Sequence, residues 1–157
     1  MSECFQISII VRKIYTSIDS IESFVTGILD LTIGDNYVSE SKFSLFKKRD
    51  VNVSVFKDED CDFDELLFCV SDYVLGRDNF DVELAKLGEF GHEVFARQSG
   101  VYCILCSYEL NGYLLSDVKS VDQIGQKFGN FPIIFSIEEG RITQKININA
   151  QDIFSRS

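Results

Sequence analysis

Tryptophan is absent from this chain, and proline, histidine and methionine occur once each. With one proline and ten glycines in 157 residues, there is little material for a long flexible linker. The single histidine, His92, excludes zinc sites that use a histidine pair. It is also the one side chain whose ordinary pKa lies near neutrality. No apolar run approaches the ~18 residues that a membrane-spanning helix needs. Phosphate-cradling glycine loops, the Gly-x-Ser-x-Gly elbow and the His-Glu-x-x-His pair are all missing. These absences remove the motif-bearing nucleotide hydrolases, dinucleotide enzymes, serine hydrolases and zinc proteases, and they give no cofactor to expect.

Bulky core material is present nonetheless. Fourteen phenylalanines and six tyrosines stand in for tryptophan, and a hydrophobic fraction of 45% with 25% charged residues is ordinary for a globular protein. One compact domain over 1–157 is the expectation. Five cysteines (4, 61, 69, 103, 106) are an odd number, and the opening stretch, with Glu3 among its first residues, lacks a basic leader. Reduced thiols and a cytoplasmic location follow as expectations.

The charge is unevenly placed. Between Asp58 and Glu93 twelve acids face two bases, Arg77 and Lys86, while the rest of the chain carries 13 of each sign. The whole net charge of −10 therefore belongs to that window. A localised negative field attracts cationic surfaces and repels nucleic acid.

Periodicity gives a mixed order. Phe5, Ile7, Ile9 and Val11 alternate as in a half-buried strand, and Ile18 to Leu29 carries a helical stripe. Phe43 and Leu45, then Val51, Val53 and Val55, read as a hairpin with a basic Lys47-Lys48-Arg49-Asp50 tip. Leu66, Leu67, Val70, Tyr73 and Val74 fit a second helix ending near Gly76, and a short helix is expected over Val82–Leu87, closed by Gly88 and Gly91. Val101 to Leu110 is apolar on both faces, as in a central strand, and Asn111-Gly112 is a hairpin turn leading to Tyr113–Leu115. Ser120 and Gln123 form a capping box for a helix to about Phe128. Ile133, Phe135 and Ile137 pair with Ile142, Ile146 and Ile148 across Glu138-Glu139-Gly140. The expected fold class is α+β: a largely antiparallel sheet built from hairpins, with about three helices packed mainly on one face.

Each candidate chemistry meets an obstacle. Asp58, Asp60 and Asp62 match the first ligands of a calcium loop, but Phe63 replaces the turn glycine and Cys69 the final glutamate. Cys103 and Cys106 form a lone Cys-x-x-Cys, yet residues three apart on a strand point to opposite faces. His92 could pair with a cysteine only by spatial assembly that no local motif announces. Lys47-Lys48-Arg49 is a small cationic patch on an acidic chain, better read as a solvated tip than as a grip on nucleic acid.

What remains is a binding protein that turns an acidic face toward a basic partner. A small acidic protein with no catalytic signature is similar, in kind, to the bacterial immunity proteins that neutralise cationic nuclease toxins. The resemblance is one of composition and carries no residue across. The contact residues would come from Asp58, Glu59, Asp60, Asp62, Asp64, Glu65, Asp72, Asp78, Asp81 and Glu83, with Phe63, Tyr73 and Phe80 as aromatic anchors. No metal, membrane or nucleic acid enters this expectation. Two other classes stay open: an adaptor or structural subunit that docks through a sheet edge, and an enzyme with a carboxylate, Cys and His92 site.

Overall fold

The computed structural model describes residues 4–13, 32–34, 37–41, 43, 45–46, 49–57, 59–71, 80–97, 100–108, 120–121, 123–124 and 133–146. Among these residues the chain forms β1 (Cys4–Arg12), β2 (Thr32–Gly34), β3 (Tyr37–Glu40), β4 (Arg49–Phe56), β5 (Phe63–Ser71), the helix α1 (Phe80–Arg97), β6 (Val101–Tyr108), β7 (Ile133–Glu138) and β8 (Arg141–Ile146). The strands run antiparallel in the order β2-β3-β4-β5-β1-β6-β7-β8. The body is the six-stranded sheet from β4 to β8. The β2–β3 ribbon joins it only through Arg49 and Asp50, opposite Val38 and Tyr37.

The opening strand sits at the centre, paired with β5 on one side and β6 on the other. Its alternation sorts the two faces. Phe5, Ile7, Ile9 and Val11 join Leu66, Phe68 and Val70 of β5, Ile104 and Cys106 of β6, and Ile133 and Phe135 of β7 in the main core. Ile10 points the other way, into a smaller cluster with Phe63, Cys103 and Leu105. Cys103 and Cys106 thus belong to opposite faces of the sheet.

Helix α1 covers the main core. Glu83, Leu87, Phe90, Gly91, Val94 and Phe95 are its buried positions, one stripe at three- and four-residue spacing. Phe90 meets three other rings nearly edge-on: Phe43 at 5.3 Å, Phe46 at 5.1 Å and Phe68 at 5.9 Å between centroids. Asp81 and Glu83 in the first turn and Arg97 in the last complement the helix dipole. The opposite face of the sheet is closed by Cys61, Val121 and Ile124. Val121, Gln123 and Ile124 are helical, and Ser120 caps them, its carbonyl and hydroxyl accepting from the Gln123 amide at 3.1 and 3.4 Å.

The helix count is the main correction to the expected fold. About three helices were expected, whereas the described residues form a sheet-dominated body with α1 as its single complete helix. Leu66 and Leu67 lie in β5, which is buried on both faces except for half-buried positions toward its end. A strand covered on both sides is nearly continuous in apolar residues, and such a run can imitate a helical stripe. The expected Val82–Leu87 helix is three times longer than its Gly88 and Gly91 stops allowed, because 18 residues run through both glycines. At Gly91 an added Cβ would lie 3.1 Å from the Phe135 ring, so the missing side chain is what seats the helix on β7. Phe43 and Leu45 are buried turn residues rather than a strand, and the arm beside β4 is β3. In the β7–β8 hairpin Ile133 pairs with Ile146 and Ile137 with Ile142 as expected, but the turn is Glu139 and Gly140 alone, at φ 52° and 77°, because Glu138 is paired with Arg141; Ile148 lies outside the described residues. The Ile18–Leu29 stripe, the Asn111-Gly112 turn and the strand after it lie outside the described residues. No helix among the described residues is long and apolar enough to cross a membrane.

Candidate functional site

The described acids of the window do not form one surface. Its first part is the turn between β4 and β5, where Glu59, Asp60 and Asp62 are exposed and Cys61 between them is buried. Asp62 is partly committed to structure: its Oδ1 accepts from the Val121 amide at 3.0 Å, and its carbonyl accepts from the Lys13 amide at 3.1 Å. Phe63 is buried in the smaller core, so it anchors the sheet and not an interface.

Asp64 and Glu65 follow on β5 and are both buried. Being adjacent on a strand, they point to opposite faces. Asp64 lies opposite Val11 on the α1 side, with Lys13 Nζ 3.9 Å away. Burial pushes its carboxyl above the ordinary carboxylate range, against the opposing pull of Lys13 and Lys57. Its Oδ1 and the Arg12 Nε are buried without a hydrogen-bond partner among the described residues. The Arg12 guanidinium lies over the Tyr102 ring, 4.9 Å from its centroid. Glu65 accepts a hydrogen bond from the Ser8 hydroxyl on the other face, and burial raises its pKa more than that bond lowers it. Beside this pair Gln6 Nε2 donates to Cys69 Sγ at 3.6 Å. Ser8 is fully buried, so its hydroxyl is a structural donor with no open side toward a substrate.

The second acidic group belongs to α1. Phe80 opens the helix, Asp81 is exposed, and Glu83 is buried and bonded to Lys86 Nζ at 3.0 Å. Glu93 binds Arg97 Nε at 2.6 Å. Asp81 and Glu89 are exposed and make no ion pair among the described residues. Asp58, Asp72, Tyr73 and Asp78 lie outside the described residues.

Topology separates the acidic turn from the first turn of α1. Arg97 stands three residues before Gly100, whose carbonyl accepts from the Arg12 amide at 2.8 Å, and Arg12 lies opposite Phe63. The C-terminal end of α1 and the acidic turn therefore share one end of the sheet. The first turn of α1, with Asp81, is about a helix length of ~25 Å from there. The turn also sits among cations, with Lys13, Lys57 and Arg12 nearby.

Sequence reasoning missed the outer face of α1. His92, read as a turn residue, is an exposed helical residue. Together with Ala85, Gly88, Glu89 and Ala96 it borders an open depression that Phe43 and Ile142 complete. The signal that could have found this face is Leu84, Leu87, Phe90 and Val94, whose helical spacing continues across both glycines. Burial raises the Cys103 thiol to about 12 and pushes Cys106 higher still, leaving neither as a nucleophile at neutral pH. Among the described residues no three His, Cys, Asp or Glu side chains converge to hold a metal ion.

Compared with known protein families, curated proteins and solved structures, the chain matches none.

Proposed function

We propose that this chain is a protein-binding protein that captures a basic partner through the outer face of α1, in the manner of the immunity-type inhibitors that neutralise cationic toxins. One observation carries the reading. The exposed side of α1 offers Asp81 and Glu89, whose charges are not neutralised by ion pairs among the described residues, with Val82 (59% exposed) on the same side and the Phe43–Ile142 depression alongside. The helix cations do not compete, because Lys86 and Arg97 are held by Glu83 and Glu93. A surface of that kind combines electrostatic steering with an apolar contact, the pairing that gives fast and specific capture of a basic protein. The cations around Glu59, Asp60 and Asp62 make the turn the weaker candidate.

The test is capture from the native host, followed by association kinetics with the captured protein. The double variant Asp81→Lys/Glu89→Lys is expected to slow association at least tenfold at low salt and to flatten its salt dependence. Both positions are exposed, so thermal denaturation should show a folded variant. An unchanged on-rate would overturn the reading.

A further inference from the structure

The open edge of β4 has a chemistry that fits itself. β4 pairs with β5 from Val51 to Phe56, but its outer side is paired with β3 only at Arg49 and Asp50. The main-chain groups on the outer side of Val51 to Phe56 meet no other strand among the described residues. Two of the four exposed large hydrophobic residues lie here, Val55 at 36% and Phe56 at 51% exposure. An exposed, unguarded edge of this sort is a template for another strand.

We propose that this edge is an interface between two copies of this chain, joined antiparallel across a two-fold axis at Val53. Antiparallel pairing about a two-fold axis sets a residue opposite its own copy and keeps opposed residues on one face. Centred on Val53, the pairing sets Val51 against the partner copy's Val55 and Asn52 against its Ser54. The three valines lie on the α1 side, where Val51 and Val53 already pack against the main core. Asn52 and Ser54 lie on the other face, opposite Cys69 and Leu67 of β5. Apolar therefore meets apolar, polar meets polar, and exposed Val55 is covered. The paired segment ends at Val51, next to Asp50, where β3 occupies the edge.

Charge supports the same partner. By sequence, β4 is entered through Lys47-Lys48-Arg49-Asp50, net +2, and left through Lys57-Asp58-Glu59-Asp60, net −2. Antiparallel pairing brings the start of one strand beside the end of the other, so a run of net +2 neighbours one of net −2 at both ends, with Arg49 opposite the partner copy's Lys57 as the one like-charge match. The other outer strand of the main sheet, β8, carries Arg141 and Lys145 with no acid, and pairing it with itself would oppose like charges. Five paired residues per copy make a small interface, so the dimer should be concentration-dependent. Two chains of charge −10 also repel at long range, which calls for measurement near 0.15 M salt, where the Debye length is ~8 Å.

Sedimentation velocity of the full chain from micromolar to near-millimolar concentration provides the first test. The expected result is a reversible monomer–dimer equilibrium that Val55→Lys weakens at least tenfold while leaving the circular dichroism spectrum unchanged. A second measurement fixes the register: under mild oxidation Val53→Cys should give a reducible covalent dimer, and Ser54→Cys should not. A monomer throughout, a dimer indifferent to Val55→Lys, or cross-linking through position 54 instead of 53 would each overturn the proposal. None of these results bears on the outer face of α1, so the two surfaces are tested separately.

Discussion

The Ser8 hydroxyl donates to the Glu65 carboxylate across the two innermost strands, β1 and β5, in a part of the sheet where Ser8 has no exposed surface. One hydrogen bond does not replace the hydration a carboxylate has in an unfolded chain, and the Glu65 pKa is raised in consequence. A carboxyl raised on folding binds its proton more tightly in the native state. Its contribution is therefore fully present below the unfolded value near 4.5 and is lost as pH rises through the folded value. Glu65→Gln keeps an acceptor for Ser8 and removes the buried charge. We expect it to be more stable than the parent by about 1 kcal/mol at pH 7 and nearly equal at pH 4. Urea denaturation at the two pH values decides this, and an equal difference at both would sink the account.

The two glycines of α1 should respond in opposite directions. Gly88 has nothing within 4 Å of an added Cβ, so Gly88→Ala gains helix propensity without a clash. Stabilisation of about 0.5–1 kcal/mol is expected. At Gly91 the added Cβ would press on the Phe135 ring at 3.1 and 3.4 Å, and Phe135 is itself packed in the main core. There Gly91→Ala should cost about 1–3 kcal/mol, as overpacked cores do. Thermal melts of the two variants side by side are sufficient. A stabilised Gly91→Ala would mean that α1 does not lie so close to β7.

How far the fold could be read from the sequence depended on how each segment is buried. β1 was legible because residues 5–11 alternate across a two-sided sheet, and β7–β8 because a glutamate–glycine turn interrupts two alternating runs. β5 was not, since Leu66, Leu67, Phe68 and Val70 fill both faces and erase the alternation that marks a strand. α1 was cut short because glycine is ordinarily a helix stop, and only the contact with Phe135 explains Gly91 inside it. The acidic window was legible as charge but not as a surface. Whether Asp64 and Glu65 reach solvent depends on β5 being an inner strand, which is a fact about its neighbours.

The β7–β8 turn offers the cleanest test of the local conformation. Glu139 is the single non-glycine residue with positive φ among the described residues, at 52°, and Gly140 follows at 77°. Two successive left-handed residues define a two-residue type I′ turn, which matches the right-handed twist of the strands it joins. The pairing it sets up runs from Glu138–Arg141 to Ile133–Ile146 and includes the Ser136 and Thr143 hydroxyls 3.2 Å apart. A glutamate at the first position carries the strain of a Cβ beside the following carbonyl, whereas asparagine tolerates that region. Glu139→Asn should therefore stabilise the chain by about 0.5–1 kcal/mol, and Gly140→Ala should destabilise it by about 1 kcal/mol or more. Both positions are exposed, so neither substitution changes a core contact. If urea denaturation found the two substitutions equally neutral, the hairpin would have to turn through a different pair of backbone angles.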